Sequence, residues 1–106
     1  VKLEMFVFDA LPLAENSMII ETLRNEEFAP VKNAAGPDSP AVTRKMMNQR
    51  AADWLEFAGA SVPRNDDGTA NCEIEISPLF AIDKQQLKEK ADKLPDINPE
   101  DTVYLE

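Results

Sequence analysis

The chain has 106 residues, 43% of them hydrophobic, with no His, one Cys and a net charge of −9 from 20 acidic and 11 basic residues. That composition suits one small globular domain or a piece of a larger one. It excludes, within this chain, a Cys–His nucleophile and a Cys/His-ligated structural zinc site. Nucleic acid is bound mainly through Lys and Arg, so an acidic chain with scattered basic residues is a poor candidate for that partner.

No apolar run reaches the length of a membrane span, and no signal-peptide pattern opens the chain. No membrane partner is therefore expected, and the acidity reads as serving solubility. The lone Cys72 has no internal disulfide partner, which makes a reducing, cytoplasmic setting the expectation. The chain opens on Val1 rather than Met, which fits an excised or tag-trimmed chain.

In chain order, Lys2 to Phe8 reads as a strand, with Phe6 and Phe8 on one face and Met5 and Val7 on the other. Leu11 to Asn16 is a connector. Ser17 to Leu23 holds Met18-Ile19-Ile20, a run that predicts a second, buried strand. Arg24 to Asn33 reads as a turn and an extended loop, stiffened by Pro30, with Ala29 pushed toward an extended conformation.

After a loop over residues 33–38, Asp38 or Ser39 can cap a helix whose first turn holds Pro40. Val42, Met46, Ala51, Trp54, Leu55 and Ala58 form its apolar stripe, and Gly59 marks its end. Asp66-Asp67-Gly68 predicts a tight turn at a hairpin tip. Asn71 to Ile76 alternates, with Cys72, Ile74 and Ile76 facing in and Glu73 and Glu75 facing water. Asp83 to Lys93 reads as a charged helix weakly anchored by Leu87, and Val103 to Leu105 as a terminal strand. No internal repeat or low-complexity segment interrupts this order.

Lys32 is the first candidate for chemistry. Its ammonium suits phosphoryl oxygens, and Phe28, Pro30 and Val31 would restrict where it points. Taken alone, an ordinary exposed Lys is the commoner role. The carboxylate pairs Glu26-Glu27, Asp66-Asp67 and Glu100-Asp101 lack the spacing of a cation loop and read as solvated charges. Cys72 sits on an apolar strand face and reads as packed rather than reactive.

Three segments carry a resemblance. Glu26-Glu27-Phe28-Ala29-Pro30-Val31-Lys32-Asn33 follows Phe6-Val7-Phe8-Asp9 at a set distance, and Cys72-Glu73-Ile74-Glu75-Ile76-Ser77-Pro78-Leu79 comes later. Together they resemble the distal part of the eukaryotic-type UDP-N-acetylhexosamine pyrophosphorylases, the enzymes that make UDP-N-acetylglucosamine from UTP and the sugar 1-phosphate. The likeness covers most of residues 5–80, and the third segment departs from the family's pattern by two extra residues.

The resemblance implies that Lys32, with Asn33 beside it, contacts phosphate, and that Phe6 and Phe8 lie near the sugar and its N-acetyl group. For at least one of the two rings, plain core packing is an equal alternative. The family's Gly-rich loop, of the form Leu-x-x-Gly-Gly-x-Gly-Thr, is missing, because Gly36, Gly59 and Gly68 do not cluster. Its uridine- and Mg²⁺-binding residues also precede this region. The chain alone is therefore expected to be inactive, as one lobe of a two-lobed site.

The expected fold is a mixed α/β piece. Residues 1–62 would be the distal part of the nucleotidyltransferase domain, completing the edge of a Rossmann-like sheet with the amphipathic helix packed on it. Residues 63–106 would form a small α+β C-terminal region. Cut from its sheet, such a piece invites self-association. Two alternatives stand beside this reading. One is a UDP-glucose-type pyrophosphorylase fragment, and the other is a non-catalytic acidic binding or dimerisation module.

Overall fold

The computed structural model describes residues 6–106. A 3-10 helix at Val7–Leu13 comes first, followed by α1 (Arg24–Glu27) and α2 (Pro40–Phe57). Strand β1 (Glu73–Ile76), helix α3 (Lys84–Glu89), a 3-10 turn (Ala91–Lys93) and strand β2 (Thr102–Leu105) complete the order. The mixture of helix and strand is as the sequence predicts. No helix among the described residues is long and apolar enough to cross a membrane.

Helix α2 is the spine. Pro40 sits in its first turn, where a missing N–H costs nothing, and Ser39 precedes it in an extended conformation. At the other end Gly59 adopts φ +100°, a left-handed conformation that closes the helix, and the Ala60 N–H returns to the Leu55 carbonyl at 3.0 Å. The face buried in the core is Ala51, Ala52, Leu55 and Ala58. The predicted stripe holds in its second half. In the first half Val42 is 39% exposed, and no residue of the first two turns is fully buried.

Strands β1 and β2 pair in parallel, from Glu73 opposite Thr102 to Ile76 opposite Leu105. Parallel strands need a long crossover, and here the connection carries α3, making a small β-α-β unit. Ile74 and Cys72 point into the core while Glu73 and Glu75 face water, as the alternation predicts. The Asp66-Asp67-Gly68 turn stands at the tip of a hairpin closed by an antiparallel bridge between Arg64 and Ala70.

Two polar devices lock α2 to these strands. The Asn48 side chain donates to the Cys72 carbonyl at 2.8 Å and accepts from the Ile74 N–H at 2.7 Å, occupying the free edge of β1 as a third strand would. The Arg64 guanidinium bridges Asp53 at 2.8 Å and Glu56 at 2.7 Å, tying the hairpin to the outer face of the helix.

The core gathers Leu55, Val62, Cys72, Ile74, Ala81, Leu87 and Leu105 with the small face of α2. It draws on both sides of residue 62. Burial raises the pKa of the Cys72 thiol, as befits a packed, unreactive group.

The first third of the chain departs from the predicted pattern. Lys2 to Met5 lie outside the described residues. Phe6 to Phe8 are not a strand: Phe6 precedes the 3-10 helix and Phe8 lies within it. With three residues per turn, positions two apart no longer share a face. Nor is Ser17 to Leu23 a buried strand, since Ile19 is 97% exposed and the run has no regular structure. The physical reason is that β-propensity is realised by pairing and burial, and among the described residues no strand pairs with this run. Helix α2 accordingly packs on β1 and α3 rather than on a sheet built from the first third.

The hairpin turn yields a titration prediction. The Thr69 hydroxyl donates to the Asp67 carboxylate at 2.5 Å and its N–H does so at 3.0 Å. These bonds, the hydroxyl foremost, hold the Asp67 pKa below the usual carboxylate range. A depressed carboxyl pKa favours the folded state above the unfolded pKa, and that contribution is lost as pH falls through the folded value. Thr69→Val should move the Asp67 carboxyl back toward its ordinary range in an NMR titration. An unmoved carboxyl would show that the hydroxyl is not the cause.

Candidate functional site

The loop that carries Lys32 is held from its base upward. Helix α1 is a single turn, closed by the Phe28 N–H on the Arg24 carbonyl at 3.0 Å. A turn this short is marginal by itself, and it is held here by α2. The Arg50 guanidinium donates to the Glu26 carbonyl at 2.8 Å, and the Trp54 indole N–H donates to the Glu26 carboxylate at 3.0 Å. The Arg50 guanidinium also lies 5.0 Å from the Trp54 ring, so the two donors brace each other.

Further along, the Thr43 hydroxyl donates to the Pro30 carbonyl at 2.9 Å. The Lys32 and Asn33 N–H groups then share the Asp38 carbonyl at 2.8 and 3.1 Å. Asp38 has φ +55° and Gly36 +75°, left-handed values that fold residues 33–38 back on the loop. The Asn33 side-chain amide donates to the Pro37 carbonyl at 2.7 Å, closing the same turn. Lys32 and Asn33 are therefore neighbours on a tied loop, not positions on a free strand.

The Lys32 ammonium lies 5.9 Å from the Phe28 ring and the Arg24 guanidinium lies 4.2 Å from it. Each contact is worth about 0.5–1 kcal/mol at an exposed ring. One ring thus gathers two cations in a chain whose net charge is −9. Sequence reasoning chose Lys32 and missed Arg24, although Arg24 stands four residues before Phe28, one helical turn away.

Phe6 and Phe8 are not gathered with Lys32 on a common strand face; they are 62% and 70% exposed. The 3-10 helix that follows Phe6 contributes no buried residue. The Asp9 carboxylate accepts from the Phe6 N–H at 3.2 Å and so helps start that helix rather than end a strand.

A surface groove of about 580 Å³ is lined by Leu23, Glu26, Arg50, Trp54, Ile76 and Lys84 among others, and none of Phe6, Phe8, Lys32 or Asn33 lines it. Among the described residues no three or more Cys, Asp or Glu side chains stand where they could hold a metal ion together.

Comparison with known proteins places this chain. No protein-family model matches it, and no solved structure does. Curated relatives do. It is 39% identical to UDP-N-acetylglucosamine diphosphorylase 2 of Arabidopsis thaliana over 93 residues, covering 82% of this chain and 18% of the relative. It is 38% identical to UDP-N-acetylhexosamine pyrophosphorylase-like protein 1 of Homo sapiens over 104 residues, covering 83% of this chain and 20% of that one. The mouse protein of the same name is 33% identical over 104 residues. The chain thus spans about a fifth of the length of the relatives it matches. Its likeness to them runs through most of its own length, and on that ground the chain belongs to the UDP-N-acetylglucosamine/hexosamine pyrophosphorylase family.

Proposed function

We propose that this chain is the distal segment of a uridylyltransferase that forms UDP-N-acetylglucosamine and pyrophosphate from UTP and N-acetylglucosamine 1-phosphate. In that reaction an oxygen of the sugar phosphate attacks the α-phosphorus of UTP, a new P–O bond forms, and pyrophosphate leaves. Negative charge accumulates on the phosphoryl oxygens, and fixed cations placed beforehand stabilise it. The Lys32 ammonium would bind and orient the sugar-side phosphate. Asn33 would stand next to it, and Phe6 and Phe8 would border the sugar and its N-acetyl group once the rest of the protein orders them. Mg²⁺, held by the preceding part of the protein, would supply further charge neutralisation.

The observation that carries this reading is the Lys32 loop itself, with its backbone tied to α2 and to the turn over residues 33–38. In the full-length protein, residues 1–62 would finish the edge of a Rossmann-like sheet and residues 63–106 would form the small C-terminal region. Helix α2 would bridge the two, since its buried face already packs on β1 and α3. The exposed run Met18-Ile19-Ile20 would find its neighbours in that sheet, and without them it favours self-association of the segment.

The test is calorimetric titration with UDP-N-acetylglucosamine. The full-length protein should bind and this chain alone should not. Lys32→Ala in the full-length protein should weaken binding about 10- to 100-fold, the loss expected for one charged hydrogen bond. Its melting temperature should hold, because Lys32 is exposed. Unchanged affinity would remove Lys32 from the site.

A further inference from the structure

The Lys32 loop touches α2 at two separate places, and neither contact belongs to the core. The first is at the base, where Arg50 and Trp54 hold the Glu26 carbonyl and carboxylate. The second is at Pro30, two residues before Lys32, where Thr43 holds the carbonyl. Between these ties the chain runs only through Glu27, Phe28 and Ala29. Phe28 carries the ring beside which the ammonium rests, with Arg24 against the same ring.

A side chain such as Lys loses considerable rotamer freedom when it is held in one place. A backbone fixed on both sides of Phe28, followed by the rigid Pro30, reduces how much freedom remains to be lost on binding. Arg50, Trp54 and Thr43 are all half-buried on α2, yet each directs a polar group at the loop rather than at the core. The Trp54 indole N–H is satisfied by a carboxylate from 28 residues earlier, so the bond ties the start of the loop to the helix.

We propose that Arg50, Trp54 and Thr43 are positioning residues for Lys32: helix α2 holds the Glu26–Pro30 segment at both ends and so sets where the ammonium meets a phosphate group. This rests on the reading of Lys32 as a phosphate contact. It adds that the helix, not the loop sequence alone, determines the geometry of that contact.

The experiment is a double-mutant cycle in the full-length protein, with UDP-N-acetylglucosamine affinity as the readout. Trp54→Phe keeps the ring and removes the N–H. Thr43→Val keeps the shape and removes the hydroxyl. Each should weaken binding about three- to tenfold, the scale of one lost neutral or charge-assisted hydrogen bond. In the Lys32→Ala background the same two changes should have almost no further effect, because the group they position is gone. A purely structural role would give losses that multiply in that background, and such multiplication would overturn the proposal.

Thr43→Val guards against Trp54→Phe failing to fold, since it only exchanges a hydroxyl for a methyl at a half-buried position. The two hypotheses separate cleanly. If Lys32→Ala weakens binding and both anchor variants bind like the unaltered protein, only the positioning role fails. If Lys32→Ala leaves binding unchanged, the phosphate-contact reading fails, and the positioning proposal falls with it.

Discussion

Leu87→Ala should destabilise the chain by about 2–5 kcal/mol, measured by urea unfolding, the range for a large-to-small change at a fully buried site. Leu87 has no exposed surface, and it is the sole buried residue of α3. A six-residue helix has little stability of its own, so α3 holds its place through this side chain and its contacts with α2. Removing the isopropyl group leaves a cavity in the cluster that also holds Leu55 and Ala81, and it also frees α3. Leu87→Met, which nearly conserves volume, should cost less than about 1.5 kcal/mol. Equal losses from the two variants would mean that the site is tolerant and that α3 is held by something else.

Asn48→Ala should cost about 2–4 kcal/mol, because it strands two half-buried backbone groups at once. The Cys72 carbonyl and the Ile74 N–H have Asn48 as their partner on the edge of β1 away from β2. A buried polar group left without a partner costs more than the bond was worth, since the desolvation remains when the bond is gone. Amide exchange at Ile74 should accelerate in step with the lost stability. A cost under about 0.5 kcal/mol, the size of an ordinary surface change, would show that water satisfies this edge and that Asn48 is incidental.

Local rules carried the last two thirds of the chain. Pro40 and Gly59 bracket α2 because each has a backbone conformation suited to that end. Cys72 to Ile76 alternates because a half-buried strand must. Val103 to Leu105 became β2, and Asp66 to Gly68 became a turn. In the loop the family motif pointed to Lys32 and Asn33, whose backbone N–H groups share the Asp38 carbonyl. The partners on α2 were not legible. Arg50 reads as a solvated charge off the apolar stripe, and Trp54 reads as part of that stripe. Their donors meet Glu26 only because the fold brings residues 24 and 28 positions apart together. A Trp that must find a partner for its N–H was the one available signal.

Leu87 shows the same limit in the core. One Leu in a charged helix looks like a weak anchor, whereas burial against α2 makes it one of the two largest fully buried side chains. The first third shows the reverse: Met18-Ile19-Ile20 has every local mark of a buried strand and is exposed. By itself the sequence determined what depends on near neighbours: helix ends, the strand alternation, the hairpin turn, and the loop motif that marks the family. Tertiary structure alone decided the parallel pairing of β1 with β2, the Asn48 edge contact and the anchoring of the Lys32 loop on α2. It also decided which apolar residues are inside. Burial and pairing are properties of two surfaces meeting, and a run of residues carries only one of them.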